Sequence, residues 1–240
     1  MTRDEIKKMI DAHVHAAGLI KEAGADGVEI HGAHGYLVSA FISPLRNRRK
    51  DEYGGPLENR MRFPIELTDA IRAGVGTDFV VGMRISGDEF TDGGYTLEDM
   101  LIMAPMLTKN GNLDFLNVSA GVYVTLSTII DPMYYPPNSW VYLAAAIKQV
   151  VDVPVFARGR ITDPVQAEQI LADHQADMVS IVGGNIADPE FSNKAKEGRE
   201  DEIRKCIGCR EGCWGRVTRH QGRQCCRYTA GALRRSRNRG

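Results

Sequence analysis

The first 205 residues contain no cysteine; all five lie between Cys206 and Cys226. A disulfide framework staples distant segments, so this crowding argues against one. It points instead to a metal or cluster site in a reducing compartment, with the cytoplasm as the default location. No apolar run approaches the roughly 20 residues of a membrane-spanning helix, and the opening MTRDEIKKMID has no apolar signal core, so neither a helical span nor export is expected. Acidic residues are missing from Trp214 to Gly240, where eight arginines stand. The rest of the chain then holds 22 basic residues against 31 acidic ones, an acidic body with a basic end. Such an end can bind nucleic acid or anionic lipid. Here it lacks interleaved aromatics and an amphipathic period, so residues 227–240 read as a disordered tail and nucleic acid is disfavoured as a partner. No long low-complexity linker divides the chain.

What is present is ordinary globular composition, 43% hydrophobic and 25% charged over 240 residues, enough for a sizeable core. Helix-like and strand-like segments alternate. Helical spacing covers Arg3–Ala23, Glu58–Ala73, Leu97–Lys109, Ser139–Val150, Asp163–Asp173 and Pro189–Arg204. Between them, Gly27–Ile30, Phe79–Ile85, Asp114–Val118, Val153–Ala157 and Met178–Val182 read as strands, apolar on both faces. This rhythm predicts an α/β fold with a parallel sheet wrapped by helices, either a (β/α) barrel or a doubly wound sheet. Asp11-x-His13-x-His15 has the spacing of a metal motif that needs a preceding strand. The charged helical start before it puts the two histidines about 200° apart instead, and metal binding there is rejected.

In a parallel sheet, chemistry gathers where strands end and loops begin. The run GVEIHGAHGYL from Gly27 to Leu37 brings His31, His34 and Tyr36 to such a mouth, three proton-handling groups spaced by small residues. Arg84, Asn117, Ser119, Arg158, Arg160 and Asn185 share that address. Two long loops, Ser43–Pro56 and the Tyr- and Pro-rich Gly121–Asn138, have the length of functional or mobile segments.

VEIHGAHGYL, followed by FISPLRNRRKDEYGGPLENRMRF and then by VGMRIS, DFLNVSAG, GRITDP and IADPEF, resembles the old yellow enzyme family of NADH:flavin oxidoreductases. The resemblance implies a (β/α)8 TIM barrel, FMN as cofactor and a small-molecule substrate. It implies that His31 and His34 hold the substrate's polar group over the flavin, and that Tyr36 donates a proton or contacts substrate. Arg84 matches the arginine beside the flavin's pyrimidine ring. Gly159 lies where backbone amides approach the FMN phosphate, with Arg160 assisting. One position departs: before IADP the family usually has an arginine that grips the phosphate, and here Gly183 stands in its place. A charge-assisted bond worth roughly 1.5–3 kcal/mol is thereby lost.

Cys206-x2-Cys209-x3-Cys213, then eleven residues to Cys225, resembles the cluster motif of that family's iron–sulfur branch, which includes dienoyl-CoA reductases, trimethylamine dehydrogenase and N-methylproline demethylases. It implies a [4Fe–4S] cluster over 205–226. Four-thiolate zinc is the competing reading, and Cys226 could substitute for its neighbour. Within the branch, the histidine pair and Met133-Tyr134-Tyr135-Pro136 lean towards oxidative N-demethylation of a small methylated amine. The alternative is NAD(P)H-dependent reduction of an enoyl thioester or enoate, and a third reading is a non-catalytic cluster-binding fragment. The strand with the histidine pair is the family's fourth, so residues 1–204 are expected to form a partial barrel, strands four to eight. The missing half, or a second copy, is then the expected partner, and NAD(P)H would act through parts not present here.

Overall fold

The computed structural model describes residues 1–219 and Cys226. Five strands, β1 (Gly27–Gly32), β2 (Val80–Ser86), β3 (Phe115–Ser119), β4 (Val155–Ala157) and β5 (Met178–Val179), lie side by side in chain order. Every pairing is parallel. A doubly wound sheet reverses its strand order at a switch point; this one does not, and is an arc of barrel wall.

Helices α1 (Arg3–Glu22), α2 (Leu37–Ile42), α3 (Leu57–Val75), α4 (Leu97–Thr108), α5 (Leu126–Ile130), α6 (Val141–Lys148), α7 (Pro164–Ala172), α8 (Gly183–Ala187), α9 (Phe191–Lys196) and α10 (Trp214–Thr218) fill the connections. Local chemistry sets several starts. Thr2 and Glu5 form a capping box on α1, and Thr96 and Asp99 another on α4. Asp163 caps α7 ahead of Pro164, whose missing N–H costs nothing at that position. The long helix expected over Pro189–Arg204 is broken into α9 and a 3-10 turn, Glu200–Glu202, because the chain turns at Gly198 with φ of 69°. Helices α2, α5, α8 and α10 span only five or six residues each, too short to show a period in sequence. His13 and His15 lie within α1, where His13 Nδ1 is bonded to the Met9 carbonyl at 2.8 Å.

The sheet has two unlike faces. Val81, Met83, Ile85, Leu116, Val118, Val155 and Ala157 are buried beneath the helices and form the core. Truncating Met83, Ile85 or Leu116 to alanine costs about 2–5 kcal/mol. The opposite face, the barrel interior, carries Glu29, His31, Arg84, Phe115, Asn117 and Phe156, all exposed or half-buried except Asn117. There the two phenylalanines stack at 4.5 Å and Asn117 donates to Glu29 at 2.7 Å. Among the described residues, no helix is long and apolar enough to cross a membrane. The basic tail over 227–240 lies outside the described residues.

Candidate active site

Register places the first cluster. His31 pairs with Arg84, and Arg84 with Asn117, so three polar side chains cross the sheet in one row at its C-terminal edge. Past β1 the chain turns through His34 and Gly35, both at positive φ, and enters α2 at Tyr36. His34 is pinned from both neighbouring strands. Its backbone N–H donates to Ser86 Oγ at 3.1 Å, and its Nε2 lies 2.6 Å from Ser119 Oγ. The His31 ring sits 5.1 Å from His34 and 4.9 Å from Tyr36, so the three residues predicted from sequence do meet. A fourth joins them: Tyr123 Oη is 2.7 Å from Tyr36 Oη, and both phenols are about half exposed, 52% and 46%. The signal for Tyr123 was the tyrosine-rich loop that holds it; its side-chain partner was not legible.

Behind His34 lies a buried ionic network. Arg158 donates from Nε to Ser119 Oγ at 3.0 Å, from Nη1 to Asp131 Oδ2 at 2.6 Å and from Nη2 to the Thr128 carbonyl at 2.6 Å. Asp131 also accepts from Trp140 Nε1. Burial pulls the Arg158 guanidinium down to about 10, partly offset by Asp131, so it stays cationic at neutral pH. The His34 imidazole is pushed down to about 3, first by burial and then by Arg84, His31 and Arg158. His31 is lowered by burial and by Arg84. Both rings are therefore neutral. Since Arg158 can only donate, Ser119 Oγ accepts from it, and the serine hydroxyl is free to donate to His34 Nε2, which leaves the imidazole proton on Nδ1. Tyr36 is raised, chiefly by its hydrogen bond to Tyr123, and remains a phenol.

The remaining predicted residues converge on a cavity of about 330 Å³ lined by Arg84, Arg158, Gly159, Arg160, Gly183 and Arg210 among others. Its lining includes four arginines and one carboxylate, Asp131, which Arg158 and Trp140 already satisfy. Burial also lowers Arg84, and its Nε has no partner. Gly159 has φ of 140°, and a Cβ there would meet the Trp140 nitrogen at 2.9 Å. Only glycine gives such a close backbone approach. Arg160, expected to assist, spends its Nη1 on the carbonyls of Met133 and Tyr135. Arg210 was not singled out in sequence; nothing but its place after Cys209 marks it.

Cys206, Cys209, Cys213 and Cys226 are free thiols lining a second, small cavity beside Gly183. Among the described residues, no three of these or other ligating groups converge as metal ligands. Cys225, the expected fourth ligand, lies outside the described residues.

Comparison with known proteins gives this geometry a family. Residues 1–202 match the NADH:flavin oxidoreductase / NADH oxidase family. The chain is 48% identical to an NADH oxidase of Thermoanaerobacter brockii, over 90% of its own length and 33% of that protein. It is 42% identical to an N,N-dimethylglycine/sarcosine dehydrogenase of Chromohalobacter salexigens, over 85% of its length and 30% of that protein. Among solved structures, a 2-naphthoyl-CoA reductase in complex with 2-naphthoyl-CoA superposes with a TM-score of 0.90 at 33% identity, over 95% of this chain and 34% of that one. The chain thus spans about a third of the length of these relatives. The fold expected from the motifs, a partial TIM barrel, agrees with that superposition. This chain belongs to the NADH:flavin oxidoreductase / NADH oxidase family.

Proposed function

We propose that the chain is the flavin-handling part of an FMN-dependent oxidoreductase, and that its substrate is an enoyl thioester or enoate whose activated double bond is reduced. The observation that carries this reading is the charge around the histidine pair. His31 and His34 are neutral N–H donors beside the guanidinium groups of Arg84 and Arg158. Those surroundings suit a carbonyl oxygen that gains negative charge as hydride reaches the β-carbon. They oppose the positive charge that builds on an amine as hydride leaves it. Tyr36, kept protonated by Tyr123, is the donor for the α-carbon. FMN, when bound, supplies the hydride, and NAD(P)H serves as the electron source.

The cavity fits an FMN phosphate by its own chemistry: four arginines to one satisfied carboxylate, unpartnered buried Nε atoms on Arg84, Arg160 and Arg210, and bare backbone at Gly159. The thiols fit a [4Fe–4S] cluster in donor type and spacing, with Cys206, Cys209, Cys213 and either Cys225 or Cys226 as the set. The open interior face of the sheet favours completion by further strands, from a longer parent or a second copy.

Oxidative N-demethylation is the second reading. The dimethylglycine/sarcosine dehydrogenase relative supports it, and the carboxylate of an N-methyl amino acid would occupy the histidines as a carbonyl does. The motifs alone put this reading first; the cationic surroundings reverse the order. Anaerobic stopped-flow on the flavin-loaded protein separates the two. The proposal expects an aryl enoate or enoyl thioester to reoxidise reduced flavin, and N,N-dimethylglycine to leave oxidised flavin unbleached. The converse pattern would sink it.

A further inference from the structure

We infer that Arg210, carried by the cysteine segment, is the cation that grips the phosphate of FMN, in the place of the side chain that Gly183 lacks. This rests on the flavin reading above. The first support is proximity. A Cβ built on Gly183 would lie 3.2 Å from Cys206 Sγ and 3.9 Å from Arg210 Nη1. Position 183 and the guanidinium of Arg210 therefore border the same corner of the cavity, in van der Waals reach of each other.

The second support is how Arg210 is held. Its backbone is left-handed, with φ of 58°, a conformation sparsely populated by non-glycine residues. The turn is closed by the Gly215 N–H donating to the Arg210 carbonyl at 2.7 Å. Nη2 donates to the Asp131 carbonyl at 2.8 Å, which aims the side chain at the cavity, while Nε is buried without a partner. The segment is fixed to the loop it faces by the Met133 N–H, which donates to the Gly208 carbonyl at 3.0 Å.

The third support is how the lining cations are committed. Arg158 is engaged through all three guanidinium nitrogens, by Ser119, Asp131 and Thr128, and Arg160 has its Nη1 committed to the Met133 and Tyr135 carbonyls. Arg84 sits on β2, in the row with His31. Arg210 is the lining cation that borders Gly183, with Nη1 free of any described hydrogen-bond partner. A doubly charged phosphate is the anion that an arginine fork and bare glycine backbone recognise together. The cysteine segment is then a wall of the flavin pocket as well as a candidate cluster loop.

Riboflavin, which has the ring but no phosphate, makes the test. Flavin fluorescence quenching on the 240-residue chain should give a lower Kd for FMN than for riboflavin. Arg210→Ala should weaken FMN about 10- to 100-fold, the loss of one charge-assisted contact, and leave riboflavin unchanged. Arg210→Gln, which can keep the bond to the Asp131 carbonyl while dropping the charge, is the second variant if the alanine chain fails to fold. Gly183→Arg placed on the Arg210→Ala background should restore FMN affinity, because position 183 borders the same corner. Equal loss of FMN and riboflavin, or no loss of either, overturns the assignment of Arg210. If neither flavin binds the parent chain, the flavin reading itself falls, and this inference with it.

Discussion

Replacing Arg158 by methionine tests the network behind His34. The substitution removes three hydrogen bonds at once, to Ser119, Asp131 and the Thr128 carbonyl. The larger cost falls on Asp131, which is 2% exposed and would keep only Trp140 as a polar side-chain partner. Breaking a buried pair by removing one member costs about 3–5 kcal/mol, because a charge is left uncompensated. Asp131→Asn alone should cost a similar amount, since it strands a guanidinium. The double variant has no stranded charge, so its cost should fall well short of the two single costs together. A double-mutant cycle by urea denaturation should give a coupling energy of about 2 kcal/mol or more. Coupling within about 0.5 kcal/mol of zero would mean that the two groups act independently, and the network as described would be wrong. The same Arg158→Met variant should raise the His34 pKa, because one of the cations depressing it is gone.

Two further outcomes follow from the site. His34 titrates at about 3 in the folded chain against an ordinary 6.5, so below pH 6.5 the unfolded state binds a proton that the folded state refuses. Stability should fall by up to about 1.4 kcal/mol per pH unit between pH 6.5 and 3 from this group, and His34→Gln should flatten that slope in denaturant titrations at stepped pH. For the thiols, anaerobic reconstitution with iron and sulfide should load about four irons per chain. Cys209→Ser should abolish the loading, and Cys225→Ser against Cys226→Ser identifies the fourth ligand by iron content and EPR. Tight zinc uptake with no iron retained would sink the cluster proposal.

The wall of the barrel was legible because it is local. FVVGMRI is apolar apart from Arg84, and five largely apolar runs separated by helical spacing leave few architectures. The histidine pair and Tyr36 were legible for the same reason, being packed into one strand mouth. What joins them was not. Ser119 is 85 residues from His34, Tyr123 is 87 from Tyr36, and Arg210 is 79 from Asp131. These are pairings that only the folded sheet and its loops bring together, and single serine, tyrosine and arginine residues carry no periodic signature. The Gly183 departure was visible as a missing charge. That a residue in the cysteine segment reaches the same corner depends on the left-handed turn at Arg210, which no residue type announces. The broken helix after Pro189 failed for a similar reason: one glycine at positive φ outweighs an otherwise helical run.

The central claim is that the arginine-lined cavity holds FMN. Calorimetric titration of the folded 240-residue chain with FMN tests it most directly. The account predicts a single site, weakened by competing inorganic phosphate and by replacement of Gly159 with alanine, whose Cβ would press on the Trp140 nitrogen. A chain with intact secondary structure by circular dichroism that gives no binding heat and no shift in flavin absorbance would contradict it.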